Sequence, residues 1–187
     1  IYVKNANGVG AETPLLDSPA DEQIEDWSED GKYLAYKLGQ SGFDDLYVLP
    51  MTGDNKKPIP VVVGPYKKDE PQFSYDGKWL AYTSNESGTF EVYVISFPGL
   101  DNKVRLSAIG GGGQPRWTRS GKELFYRGPD GAAMVVDLKL DGGRLEAGTP
   151  RRQFATFTNT PSSRDPTRHQ WTVISDGQRF LVRYANN

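Results

Sequence analysis

Phe73-Ser74-Tyr75-Asp76-Gly77-Lys78-Trp79-Leu80-Ala81-Tyr82 is the stretch from which the rest of the chain can be read. An aromatic residue begins a short strand that stops at Asp76-Gly77, where glycine accepts positive φ without steric cost and lets the chain reverse tightly. The next strand, Trp79-Leu80-Ala81-Tyr82, is apolar on both faces, as a strand must be when its sheet is sandwiched between two others. The unit recurs upstream as Trp27-Ser28-Glu29-Asp30-Gly31-Lys32-Tyr33-Leu34-Ala35-Tyr36. It recurs downstream as Trp117-Thr118-Arg119-Ser120-Gly121-Lys122-Glu123-Leu124-Phe125-Tyr126, and more loosely, with one extra residue, from Trp171 to Val182. The turn glycines stand at 31, 77, 121 and 177, spaced 46, 44 and 56 residues apart. Such a period, carried by strands without helical periodicity, predicts propeller blades of about 40–50 residues.

Each unit continues in the same way. A polar loop (residues 39–44, 85–89 and 128–131) leads to a third strand, Leu46-Tyr47-Val48-Leu49, Val92-Tyr93-Val94-Ile95 or Met134-Val135-Val136. A shorter outer strand closes the blade near residues 59–63, 104–107 and 153–157. Ile1-Tyr2-Val3-Lys4 and Pro14-Leu15-Leu16 match a third and a fourth strand, whereas residues 170–173 and 179–184 supply only a first and a second. The expected fold is therefore all-β, a β-propeller of four-stranded antiparallel blades with three whole blades and two complementary half-blades. The boundaries are a C-terminal half-blade at 1–22, blades at 23–68, 69–112 and 113–165, and an N-terminal half-blade at 166–187. Pairing of the halves would tie the termini into one mixed blade and remove exposed sheet edges. Three arrangements fit: a closed four-bladed monomer, a homodimer joined through the half-blades into an eight-bladed ring, and a piece of a larger ring. The chain opens without Met in what reads as mid-strand, so the expectation is a mature product or a piece of something longer.

Composition excludes several classes. The 187 residues contain no Cys, 21 Gly, 13 Pro and only two Met, with 12% aromatic residues. A disulfide-stapled domain and a thiolate-ligated zinc or iron–sulfur site both need cysteine. Mean hydropathy is −0.61, and no apolar run approaches the roughly 20 residues needed to cross a bilayer, so membrane insertion is not expected. The formal charge of −2 hides an asymmetry: residues 1–100 carry a net −8 and residues 101–187 a net +6. The halves should attract each other, and the basic half reads as a solvated face rather than a nucleic-acid surface.

The unit Trp/Phe-Ser-x-Asp-Gly-Lys-x-Leu-Ala-Tyr followed by a Tyr-Val strand resembles the TolB-like, WD-type β-propeller repeat of bacteria. Three stretches resemble in particular the propellers that lie C-terminal to bacterial serine/threonine protein kinases. They are Tyr82-Thr83-Ser84-Asn85-Glu86-Ser87-Gly88 with Glu91-Val92-Tyr93-Val94, Gly113-Gln114-Pro115-Arg116-Trp117 with its following turn, and Ser175-Asp176-Gly177-Gln178-Arg179-Phe180-Leu181-Val182. Glu29 and Tyr75 stand where the family often has Pro, and Ser120 replaces the turn Asp. Family rings usually have six or more blades, which leaves the three arrangements open. The resemblance implies a binding face at one channel mouth, a sensor or scaffold role, and a periplasmic or other extracytoplasmic location.

Few constellations suggest chemistry. The only histidine, His169, would have to be the base of any serine hydrolase, and no Gly-x-Ser-x-Gly elbow accompanies it. Propellers of this type also precede the hydrolase domain of prolyl-oligopeptidase-like enzymes, which is absent from these residues. Asp26 to Gly31 opens like a calcium loop, but Lys37 occupies the twelfth position, where a bidentate Glu is required. Gly110-Gly111-Gly112-Gly113 leads through Gln114-Pro115 into a strand, not into the helix N-terminus of a phosphate cradle, and reads as an inter-blade connection able to shape a binding surface. The acid pairs Asp21-Glu22, Asp44-Asp45 and Asp69-Glu70 read as solvated loop acids. No catalytic residues, cofactor or metal ligands are assigned. The residues just ahead of each repeated aromatic should instead ring one mouth of the channel: Glu25 and Asp26, Glu70 and Gln72, Gln114 and Arg116, His169 and Gln170. Such a ring suits a protein, a peptide or a small polar ligand; hydrolysis at the mouth is the alternative.

Overall fold

The computed structural model describes residues 1–40, 43–53, 56–107, 110–141, 143–155 and 171–182, with the side chains of residues 40 and 141 left aside. Every regular element among them is a strand. The first whole blade is β3 (Asp21–Trp27), β4 (Tyr33–Gln40), β5 (Phe43–Pro50) and β6 (Ile59–Val62), antiparallel in that order. The second is β7 (Lys68–Phe73), β8 (Trp79–Ser84), β9 (Glu91–Ser96) and β10 (Lys103–Arg105). The third contains β11 (Gly113–Trp117), β12 (Glu123–Arg127) and β13 (Ala133–Asp141), with both β14 (Arg144–Ala147) and β15 (Arg151–Phe154) on β13. At the ends lie two-stranded sheets, β1 (Tyr2–Val3) with β2 (Thr13–Pro14), and β16 (Trp171–Val173) with β17 (Phe180–Val182). Four-stranded antiparallel blades flanked by two half-blades are the architecture expected of the repeat.

The period-2 alternation of a strand explains why the blades stack. On β8, Trp79 and Ala81 face the third blade, packing with Trp117, Leu124, Tyr126 and Val136. Leu80 and Tyr82 face the first blade, packing with Ala35, Leu46 and Val48. The neighbouring β9 divides the same way, Val92 and Val94 to one side and Tyr93 and Ile95 to the other. All six residues of β8 are buried. Each large apolar side chain so enclosed contributes about 1.5–3 kcal/mol over its exposed state. Leu34, Tyr36 and Leu49 hold Ile1, Leu15 and Leu16 of the first half-blade; Phe125 and Val135 hold Trp171, Phe180 and Val182 of the last.

The repeated turn is fastened by its hydroxyl residue. Ser28 Oγ accepts the Tyr33 N–H at 3.0 Å and donates to Asp30 at 2.8 Å, and Ser74 does the same with Trp79 and Asp76 at 3.0 and 2.6 Å. Asp30, Asp76 and Asp176 each accept the N–H two residues on; in the third copy Ser120 Oγ accepts the Lys122 N–H at 3.2 Å, so the departure from Asp keeps the bond. The four turn glycines have φ between +68° and +75°, a region that other residues enter only with strain.

Two expectations need correction. In the first three copies the repeated aromatic closes the first strand instead of beginning it, because the turn starts at the very next residue and the strand lies in the polar residues before it; in the fourth, Trp171 is the first described residue of β16. In the third blade the outer strand is Arg151–Phe154, starting two residues earlier than expected, while residues 156 and 157 of the expected strand lie outside the described residues; β13 runs on past it into a hairpin with β14. Among the described residues the two half-blades are separate sheets packed on opposite outer blades, with Tyr2 and Leu181 exposed.

Candidate functional site: a charged cluster on the inner strands

In a propeller the first strand of each blade is the inner one, and here β3 packs beside β7 and β7 beside β11. Each of the three carries a register jump at the same place: between Ile24 and Asp26, between Asp69 and Gln72, and between Gly113 and Arg116. A bulge re-aims side chains and breaks the ladder, which is where a proline can stand without orphaning a partner. Pro71 and Pro115 occupy two of the three bulges. The residues before them, Glu70 and Gln114, have φ of +54° and +56°, a strained conformation for side-chain-bearing residues. That turn of the backbone points the Gln114 N–H at Glu70 Oε2, 2.7 Å away.

Two predicted site residues latch blade to blade. Asp26 Oδ2 accepts the Phe73 N–H at 2.7 Å, and Gln72 Oε1 accepts the Trp117 N–H at 3.0 Å, while the Trp117 indole N–H returns to the Gln72 carbonyl at 3.1 Å. At the third equivalent position stands Arg116, which has no acceptor to offer; its Nη1 donates to the Pro115 carbonyl at 2.7 Å. The indole N–H of the next aromatic, Trp171, is buried without a hydrogen-bond partner. Among the described residues the repeat thus supplies this side-chain-acceptor latch twice, at Asp26 and Gln72.

The remaining predicted residues form a charged cluster. Lys37, from β4, donates to Asp69 at 2.6 Å and pairs with Glu25 at 3.1 Å, its own side chain only 3% exposed. Glu70 is 3% exposed; its Oε2 also accepts the Thr83 hydroxyl at 3.1 Å, while Oε1 is buried with no hydrogen-bond partner. Burial, reinforced by the neighbouring Asp69 charge, pushes the Glu70 carboxyl up to about 7 against the opposing pull of the Gln114 N–H, Arg116 and Thr83. Burial likewise raises Asp26 to about 6, and raises Glu25 despite Lys37. Burial lowers Arg116, with Glu70, Asp26 and Glu25 working the other way. For Lys37 burial is outweighed by its bond to Asp69 and its two carboxylate neighbours, so its net shift is upward.

Sequence reasoning selected Glu25, Asp26, Glu70, Gln72, Gln114 and Arg116, and the structure brings these six together on adjacent strands. They lie inside the strands rather than in the connections leading to them. His169 and Gln170 lie outside the described residues. The acid pairs read as solvated loop acids are a correction: all three lie in strands, and Asp69 and Glu70 are buried. Lys37 was missed, although a lone charge within Tyr33-Leu34-Ala35-Tyr36-Lys37-Leu38 was a signal for a buried ion pair. Gly111 and Gly112 are held closely: a Cβ on the first would sit 2.8 Å from the Phe90 carbonyl oxygen, and one on the second 2.8 Å from the Tyr126 ring. A separate groove of about 410 Å³ between the third blade and the last half-blade is lined by Thr118, Arg119, Ser120, Ser175 and Asp176. It is open, and Thr118 is its one buried polar lining residue.

Strand order, blade stacking and the inner polar strands together define a β-propeller. No protein-family model matches the chain, and no curated protein does. Among solved structures it is similar to a TolB candidate from Agrobacterium tumefaciens, with a TM-score of 0.62 and 20% identity over 84% of this chain and 59% of that one. TolB from Acinetobacter baumannii aligns with a TM-score of 0.53 and 16% identity over 78% of this chain and 36% of that one. A puromycin hydrolase aligns with a TM-score of 0.54 and 17% identity, over 74% of this chain and 23% of that one. The fold is that of the TolB-like β-propellers, and the chain spans less than two thirds of the length of each of these proteins.

Proposed function

We propose that the chain is a non-catalytic binding module, a β-propeller that holds a protein, a peptide or a small polar ligand against the inner strands of its blades. One observation supports this reading above the others. On three adjacent inner strands Glu70, Gln114 and Arg116 are buried and Glu25, Asp26 and Gln72 half-buried, at positions where apolar residues would pack without a desolvation cost. His169 and Gln170, at the matching offset before Trp171 in the sequence, belong to the proposed site. No cofactor, metal, nucleic acid or membrane insertion enters the proposal.

By resemblance to the repeat family, the module is the sensor or scaffold part of a bacterial envelope protein or receptor-like kinase, exposed to the periplasm or another extracytoplasmic space. A second reading, a hydrolase or the accessory propeller of one, draws support from the puromycin hydrolase among the similar structures. Two experiments separate them. Selection of a displayed peptide library on the whole chain should yield binders that are lost when Gln114 and Arg116 are replaced. A screen of esterase, peptidase and glycosidase substrates should find no turnover; turnover lost in His169→Ala, together with an empty peptide selection, would replace the binding reading with the hydrolase. Dimerisation through the half-blades is read by light scattering at low and high salt, where a mass independent of salt and dilution counts against it.

A further inference from the structure

Among the described residues, carboxylates outnumber cations in the inner cluster. Glu25, Asp26, Asp69 and Glu70 face Lys37 and Arg116. Their hydrogen bonds can be followed atom by atom. Lys37 engages Asp69 and Glu25, the Phe73 N–H engages Asp26, and the Gln114 N–H and Thr83 hydroxyl engage one oxygen of Glu70. The other oxygen of Glu70, Oε1, is left buried and without a hydrogen bond. An orphaned buried acceptor costs about 1–3 kcal/mol, and more when it is charged. Gly113 packs on the other, bonded oxygen: a Cβ there would meet Glu70 Oε2 and the Thr83 side chain at 3.6 Å, ordinary contact distance.

We infer that Glu70 Oε1 is the acceptor for one organic cation, the guanidinium or ammonium of an arginine or lysine side chain carried by the bound partner. This rests on the binding reading above and gives it a ligand chemistry. A guanidinium or ammonium brings the N–H donors that Oε1 lacks and supplies positive charge where the cluster is short of it. A bare metal ion fits less well, because among the described residues no three acidic or histidine side chains converge to hold one. In the absence of such a cation the proton takes its place: burial and Asp69 keep Glu70 partly protonated near neutral pH. The groups facing it are Asp69 on its own strand, Thr83 on β8, and Gln114 and Arg116 on β11, with Asp26 and Glu25 from β3 and Lys37 from β4 completing the cluster.

The test is titration calorimetry on the whole 187-residue chain with two short peptides, acetyl-Gly-Arg-Gly-amide and the same peptide with neutral citrulline in place of arginine. At pH 8 the arginine peptide should bind about tenfold tighter or more, since bonds to a charged partner are roughly twice as strong as neutral ones. The advantage should shrink about tenfold by pH 6, as Glu70 takes up its proton. Glu70→Gln should abolish the difference between the peptides. Equal affinity of the two peptides at pH 8, or no binding of the arginine peptide, overturns the inference. Both peptides are used on the unaltered protein, so a misfolded variant cannot mask the answer. If library selection yields binders without any arginine or lysine requirement, this inference falls and the binding reading stands.

Discussion

Glu70→Gln should make the protein more stable at alkaline pH and leave it unchanged in acid. The glutamine keeps acceptors for the Gln114 N–H and the Thr83 hydroxyl, at 2.7 and 3.1 Å in the native protein, and removes only the ionisable oxygen. In the fold, burial and the Asp69 charge raise the Glu70 carboxyl from 4.5 to about 7. The folded state therefore holds this proton more tightly than the unfolded state does. Between those two values the unfolded chain has released it and the folded one has not, so stability falls as pH rises through the window and levels off above it. At about 1.36 kcal/mol per pH unit, the whole fall is about 3 kcal/mol. For a chain of this size that is about 6–12 °C in Tm. Asp26 shifts in the same direction, from 3.8 to about 6, but it is present in both proteins and cancels in their difference. Thermal or urea unfolding of the two proteins from pH 4 to pH 8.5 measures the effect. The curves should coincide near pH 4 and diverge above pH 5, with the variant about 3 kcal/mol ahead by pH 8. Parallel curves across the window would refute the assignment of a raised carboxyl to Glu70.

Gln72→Ala removes the acceptor for the Trp117 N–H between the second and third blades; the buried donor left behind should cost about 1–3 kcal/mol, read as a lower Tm with red-shifted tryptophan emission. Lys37→Met leaves Asp69 and Glu25 without their cation and should cost about 3–5 kcal/mol near pH 8; a loss under about 1 kcal/mol would show that the pair is not sequestered. Gly111→Ala combines a φ of +104° with a Cβ 2.8 Å from the Phe90 carbonyl oxygen, whereas Gly88→Ala, at φ +95°, meets nothing within 4 Å. Urea unfolding should therefore place Gly111→Ala well below Gly88→Ala, which carries only the backbone penalty of about 1 kcal/mol. Equal losses would mean that the glycine run is not packed against Phe90.

The blades were legible because they are local. Trp79-Leu80-Ala81-Tyr82 is apolar at every position, and a strand buried on both faces can be read from four residues without knowing its neighbours. Ser74, Asp76 and Gly77 close their turn within a few residues, so their spacing carries the geometry. The six inner-strand residues could be chosen for the same reason, by their fixed offset from the repeated aromatic. What those residues do was set elsewhere. Lys37 lies 32 positions before Asp69, and Glu70 lies 44 before Gln114, so which charges meet depends on the blade-to-blade stacking. Asp69-Glu70 looks like a loop in sequence because strands seldom open with adjacent acids; only the bulge, the left-handed Glu70 and the neighbouring blades enclose them. The sequence by itself determined the repeat, its turns and the apolar faces that make the blades stack, since these depend on contacts a few residues apart. Only the tertiary structure decided which polar residues became latches, which became ion pairs, and which carboxylate oxygen was left without a partner, because desolvation acts on neighbours that are close in space and distant along the chain.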